Sequence, residues 1–78
     1  MTRLYFHCAG PDELLIDTRG TDVLDLSEAR HRALTLARSI VENAYGMKDF
    51  SEWLVYVGDD EDDEVLLVSF EDAMPTLH

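Results

Sequence analysis

The chain of 78 residues carries 17 acidic side chains against 6 lysines and arginines, a net charge of −11, while 46% of its residues are hydrophobic. That length makes one domain, burying about 60% of its unfolded surface, with no room for a deep catalytic cavity. The charge speaks against nucleic acid and anionic membranes as direct partners, and the hydrophobic content against disorder.

Residues 2–8 alternate, Leu4, Phe6 and Cys8 against Arg3, Tyr5 and His7, which is the period of a strand in a sheet. Cys8, the single cysteine, has no partner for an internal disulfide. The opening MTRLYFHC has neither the apolar core of a signal peptide nor the length of a membrane span, so a cytoplasmic location is expected. Gly10 and Pro11 end the strand. Leu14–Asp17 can return antiparallel as a second strand, and residues 18–21, centred on Gly20, turn the chain toward a helix.

The helix is expected from Asp25 to about Tyr45. Leu26, Ala29, Ala33, Leu36, Ala37, Ile40, Val41 and Ala44 fall on one face, with Leu34 and Tyr45 at its margin. Asp25 suits the N-cap, Glu28 can reach back to the Asp25 amide, Leu24 can staple onto Ala29, and Gly46 can take the positive φ that stops a helix. Arg30 sits within the stripe, where it either pairs with Asp17 or Asp22 or lays its methylenes down and reaches water. From Leu26 to Tyr45, Arg30, Arg32 and Arg38 stand against Glu28 and Glu42, a balance of +1, so the rest of the chain carries −12.

Residues 47–51 form a connector, and 52–58 a third strand with Trp53, Val55 and Val57 opposite Leu54 and Tyr56. Val65–Phe70 is the fourth, and the six acids Asp59, Asp60, Glu61, Asp62, Asp63 and Glu64 are the loop of a hairpin. The domain is expected to span residues 1–73, with a loose tail at 74–78 broken by Pro75. The order ββαββ predicts an α+β fold, one amphipathic helix packed on one face of a small antiparallel sheet. The other face would then present Tyr5, His7, Leu54 and Tyr56, joined by either Val65 and Leu67 or Leu66 and Val68. A solvated face should alternate to polar residues. This one does not, and it predicts a homodimer or docking surface.

Several stretches together resemble a family of short uncharacterised bacterial proteins, a domain of unknown function. Its members open with a Tyr-Phe-His strand, here Leu4-Tyr5-Phe6-His7. They continue through an acidic residue and a glycine, here Asp17 and Gly20, to a D-L-x-x-A helix start, here Asp25-Leu26 with Ala29 and Ala33. They close on a hairpin leading into an apolar strand that ends in Phe, here the acidic run and Val65–Phe70. The resemblance covers nearly the whole chain. It implies the fold and transfers no site. In place of the expected hairpin glycine stands Asp63, which can take a left-handed conformation at some cost.

As a calcium loop the acidic run fails in detail, since glycine is wanted at Glu64 and a bidentate Glu at Phe70. Its six carboxylates can still attract a hard divalent cation weakly, or an Arg/Lys-rich partner, in the extreme case by imitating nucleic acid. The plainer account is a solvated loop that blunts a sheet edge. His7 and Cys8 point to opposite faces of a strand, so they cannot meet at one atom, and His31 lies on the solvent side of the helix. Cys8 reads as a small buried apolar residue, and His7 as a member of the outer face, where its titration can tune an interface. The chain holds no G-x-S-x-G, phosphate-binding glycine loop or H-E-x-x-H, so neither catalysis nor a cofactor or metal is expected. The function expected is noncatalytic protein-protein contact, with self-association. The alternative is an acidic mimic that inhibits a nucleic-acid-binding protein, and the third is weak cation binding or an enzyme without a familiar motif.

Overall fold

A computed structural model describes residues 1–44, 46 and 48–73. Tyr45, Met47 and the expected tail at 74–78 lie outside the described residues. Strand β1 (Thr2–Ala9) is central. It pairs antiparallel with β4 (Leu54–Gly58), from Tyr5 opposite Gly58 to Ala9 opposite Leu54, and β4 pairs with β5 (Glu64–Ser69). The other edge of β1 is shared: β2 (Leu14–Leu15) pairs with Cys8 and Ala9, and β3 (Thr21–Val23) with Thr2–Leu4. The helix α1 spans Leu26–Asn43, and a 3₁₀ turn follows β5 at Phe70–Asp72.

The fold is therefore α+β, an antiparallel sheet with one helix, with one strand more than expected. The turn expected at 18–21 is shorter, and Thr21–Val23 forms β3. Three residues of alternation are too few to show a period. Their pairing depends on β1 lying beside them, with Val23 only 1% exposed.

Leu4, Phe6, Cys8, Val55, Val57 and Val68 are buried on one side of the sheet, against Ala29, Ala33 and Ala37. Three alanines in register let the helix backbone approach the strands closely, which larger residues would prevent. Asp25 caps α1, its carboxylate accepting the Glu28 amide at 2.8 Å. Glu28 reaches one residue further back than expected, accepting the Leu24 amide at 2.8 Å. With the first turn held by these bonds, Leu26 is left 56% exposed at the end of its stripe. Leu24 is 73% exposed and makes no staple worth the name. Gly46 takes φ +74° past the helix end. Arg30 is exposed, and its two candidate partners are engaged elsewhere, Asp22 with Arg3 at 3.3 Å and Asp17 with backbone amides.

Phe50, in the connector, closes one end of the core. Its ring lies 5.3 Å edge-on from Trp53 and 5.6 Å from Phe70, centroid to centroid, and Phe70 opens the 3₁₀ turn rather than ending the strand. At the other end of the β4–β5 hairpin Val57 faces Leu66 while Gly58 faces Glu64, so Val65 is an extra residue in β5. This bulge lets Val65 and Leu66 both pack against the core. The left-handed residue of the loop is Asp62, at φ +64°, one place before Asp63.

Candidate functional site

Register decides what the two sides of the sheet display, because cross-strand partners share a face. The outer side carries the row Leu14, Ala9, Leu54, Ser69 and, beside it, the row His7, Tyr56, Leu67. Tyr5 extends the second row: its ring lies parallel to His7 at 6.5 Å, and His7 lies 6.0 Å from Tyr56. Tyr5, His7, Leu54 and Tyr56 are thus brought together as expected, each half-buried by its neighbours. Leu67 joins them at 47% exposure; Val65, Leu66 and Val68 turn inward. Leu14, 61% exposed, was hidden from a reading of the sequence because its face depends on pairing with Ala9. The Cα trace measures 37 × 26 × 17 Å, and its shortest dimension holds only two layers, so among the described residues no protein layer covers this face.

His7 is held in place by Asp17. Between β2 and β3 the chain leaves the edge of β1, and Asp17 fills the gap. Its amide donates to His7 Nδ1 at 3.0 Å, and its carboxylate accepts the Phe6 amide at 3.1 Å, Arg19 at 3.0 Å and Gly20 at 3.1 Å. A side chain thus stands in for the carbonyl of a missing strand. Partial burial pushes the Asp17 carboxyl up, but the amides of Gly20, Phe6 and Arg19 and the nearby His7 outweigh it and hold the group below its ordinary range. Because Nδ1 accepts this hydrogen bond, Nε2 is the ring nitrogen of His7 left to carry a proton.

On the inner side the helix makes its closest approaches to β5, β4 and β3, and the sheet edge at β2 is left exposed. An 810 Å³ groove results. Its apolar floor is Phe6, Cys8, Leu15, Ile16, Leu36 and Ile40, and its rim carries Asp17, Glu28, His31 and Arg32. Leu15 and Ile16 are 48% and 58% exposed, so the stretch expected as an ordinary strand is an apolar lip. Cys8 lies beneath, 2% exposed, and burial pushes its thiol to about 11, so the neutral thiol prevails near neutral pH.

The acidic hairpin splits in two. The Asp59 carboxylate is consumed by its own loop, accepting the Glu61 amide at 2.9 Å and the Asp63 amide at 3.0 Å. Asp60, Glu61, Asp62, Asp63 and Glu64 stand exposed. Among the described residues no group of three or more His, Cys, Asp or Glu side chains is placed to hold a metal ion, and no helix is long and apolar enough to cross a membrane.

These features define a small two-layer α+β domain, with the helix on one sheet face and, among the described residues, nothing on the other. The chain belongs to the family described as Domain of unknown function (DUF6894), whose profile matches residues 3–71. Comparison with curated proteins and with solved structures returned no match.

Proposed function

We propose that this protein works by noncatalytic protein-protein contact, pairing with a second copy through its outer sheet face. The observation that carries the reading is the contiguous surface of Leu14, Leu54, Tyr56, His7, Tyr5 and Leu67, on a sheet face that no other described residues overlie. A two-fold axis through such a patch lets it pack on itself, sheet on sheet at about 10 Å. The net charge of −11 opposes the approach of two copies, so added salt should tighten the pair. The free, buried Cys8 thiol fits a reducing, cytoplasmic setting. Sedimentation velocity tests the reading: the wild type should run as a dimer that salt strengthens and that Tyr56→Glu dissociates. A wild-type monomer at high concentration and high salt would refute it.

A second reading, an acidic mimic that occupies the site of a nucleic-acid-binding protein, is favoured by the Asp59 bonds, which fix the loop while leaving five acids exposed. Replacing Asp60, Asp62 and Asp63 with Asn should then release such a partner, whereas Tyr56→Glu should not.

A further inference from the structure

On the outer side of β1 the rings of Tyr5 and His7 stand as two parallel walls. Their planes differ by 8° and their centroids lie 6.5 Å apart, close to the repeat of alternate residues along a strand. Both rings lean toward the edge that β1 shares with β2 and β3: a Cβ on Gly20 would lie 3.0 Å from Tyr5 Cε2, and His7 Nδ1 accepts the Asp17 amide. Side chains that stand off a sheet and lean the same way across it turn their ring faces along the strand, toward each other. The space between them is a slot. On the β4 side Tyr56 closes it. Its ring is 6.0 Å from His7, and its Cε1 lies 3.4 Å from where a Cβ would stand on Gly58, the cross-strand partner of Tyr5. On the other side the Asp17 carboxylate is held at the level of Phe6, between the two walls, by the Phe6 amide at 3.1 Å. Among the described residues Oδ1 takes the amides of Arg19 and Gly20, whereas Oδ2 takes that of Phe6 alone, which leaves Oδ2 a lone pair for one more donor.

We propose that this slot binds a guanidinium group, the side chain of an arginine presented by another protein. Width selects a planar group. A flat group in contact with both rings needs about 7 Å, twice the contact distance of about 3.5 Å between carbon atoms. The walls stand 6.5 Å apart, so small ring tilts admit it. A tetrahedral ammonium is thicker than one atomic layer and does not fit between them. Charge selects a cation. The π-faces of Tyr5 and Tyr56 attract one, Asp17 Oδ2 offers its lone pair to the guanidinium fork, and the chain as a whole carries −11. A His7 ring whose Nδ1 accepts a hydrogen bond carries no charge to oppose it. The source is a protein chain. Free arginine would bring its own carboxylate to this acidic surface, whereas an arginine within a peptide does not, and Leu67, opposite Tyr56 and 47% exposed, gives apolar ground to the residue beside it. A second copy docked face to face is badly placed to supply the arginine: Arg3 is engaged by Asp22 and the Arg19 carbonyl, and Arg30, Arg32 and Arg38 lie on α1 in the other layer. The slot shares Tyr5, His7 and Tyr56 with the proposed dimer face but does not require the dimer.

The test uses short blocked peptides with a central arginine between leucines. Two counterparts replace the arginine by lysine, which keeps the charge and loses the plane, or by citrulline, which keeps the plane and loses the charge. Titrated into the dilute full chain and followed by calorimetry and side-chain proton shifts, the arginine peptide should bind saturably, with ring shifts at Tyr5, His7 and Tyr56. It should bind about five- to tenfold more tightly than either counterpart. Added salt should weaken this binding although it tightens the dimer, so the two readings fail separately. Tyr5→Phe should hold the affinity within about twofold, because the wall is the ring, and Tyr5→Leu should lower it at least about fivefold. Leu14→Ser, on the dimer face away from the slot, should loosen the dimer and leave the peptide bound. The three peptides are compared on the wild type, so that arm stands even if Tyr5→Leu does not fold. Equal affinity for the lysine or citrulline peptide, shifts confined to the acidic hairpin at 59–64, or no binding at millimolar peptide would each overturn the proposal. So would a wild-type dimer that Arg19→Ala separates, because a second copy would then fill the slot.

Discussion

Removing the Asp17 carboxylate should unstitch the β2–β3 crossover from β1. Asp17→Ala strands three amides. Those of Arg19 and Gly20 can turn to water, at about 0.5 kcal/mol each, while the Phe6 amide, part-buried behind the crossover, loses about 1–3 kcal/mol. The sum is about 2–4 kcal/mol, from a total of about 4–12 kcal/mol for a domain of this size. With a urea m-value of about 1 kcal/mol/M, the unfolding midpoint should fall by about 2–4 M at pH 7. Asp17→Asn should cost less, because its carbonyl oxygen still serves Arg19 and Gly20 while its NH₂ opposes the Phe6 N–H.

The pH dependence sharpens the test. The folded carboxyl titrates below its ordinary range, so its contribution is complete above the unfolded value of about 3.9. It is lost as pH falls through the lower folded value. The gap between wild type and Asp17→Asn should hold constant from pH 7 to about 4.5 and close below that. Urea titrations of both proteins at several pH values read it directly. A gap that does not change with pH, or an Asp17→Ala protein within about 0.5 kcal/mol of wild type, would refute the account.

Two further substitutions probe the backbone. Gly10→Ala places a Cβ 2.3 Å from Trp53 Cε2, in a ring boxed in by Phe50 and Phe70, so the indole must move. A loss of about 1–3 kcal/mol is expected, with a red shift of Trp53 emission; an unshifted spectrum at wild-type stability would show that the indole does not need Gly10. Asp62→Gly should relieve a left-handed non-glycine residue and raise the thermal midpoint by a few degrees, for a net gain below about 1 kcal/mol after the extra chain entropy. A lower midpoint in a thermal melt would place the Asp62 side chain among the bonds that hold the loop.

Signals carried by near neighbours in the chain were legible in the sequence. The alternation of Leu4, Phe6 and Cys8 set which side of β1 is buried, and the period of Ala29, Ala33 and Ala37 with Asp25 at the cap set the helix to within two residues. The stack of Tyr5, His7 and Tyr56 was likewise visible as an unpaired apolar face. Features made by pairing between distant residues were not. The strand at Thr21–Val23 exists because Thr2–Leu4 lies beside it, and Val65 turns inward because a bulge breaks the register at Gly58. Asp17 reads in sequence as one acid among 17, and only the gap in the edge of β1 makes it the residue that completes a strand and seats His7.

The sequence by itself determined the layers, because hydrophobic period and capping act over three or four residues and tolerate little else. Only the tertiary structure decided where the single helix would sit across a wider sheet. That placement follows from three alanines that pull α1 down over β4 and β5, and it leaves Leu15 and Ile16 as the lip of a groove. No local signal separates a strand whose side chains the helix covers from one whose side chains it misses.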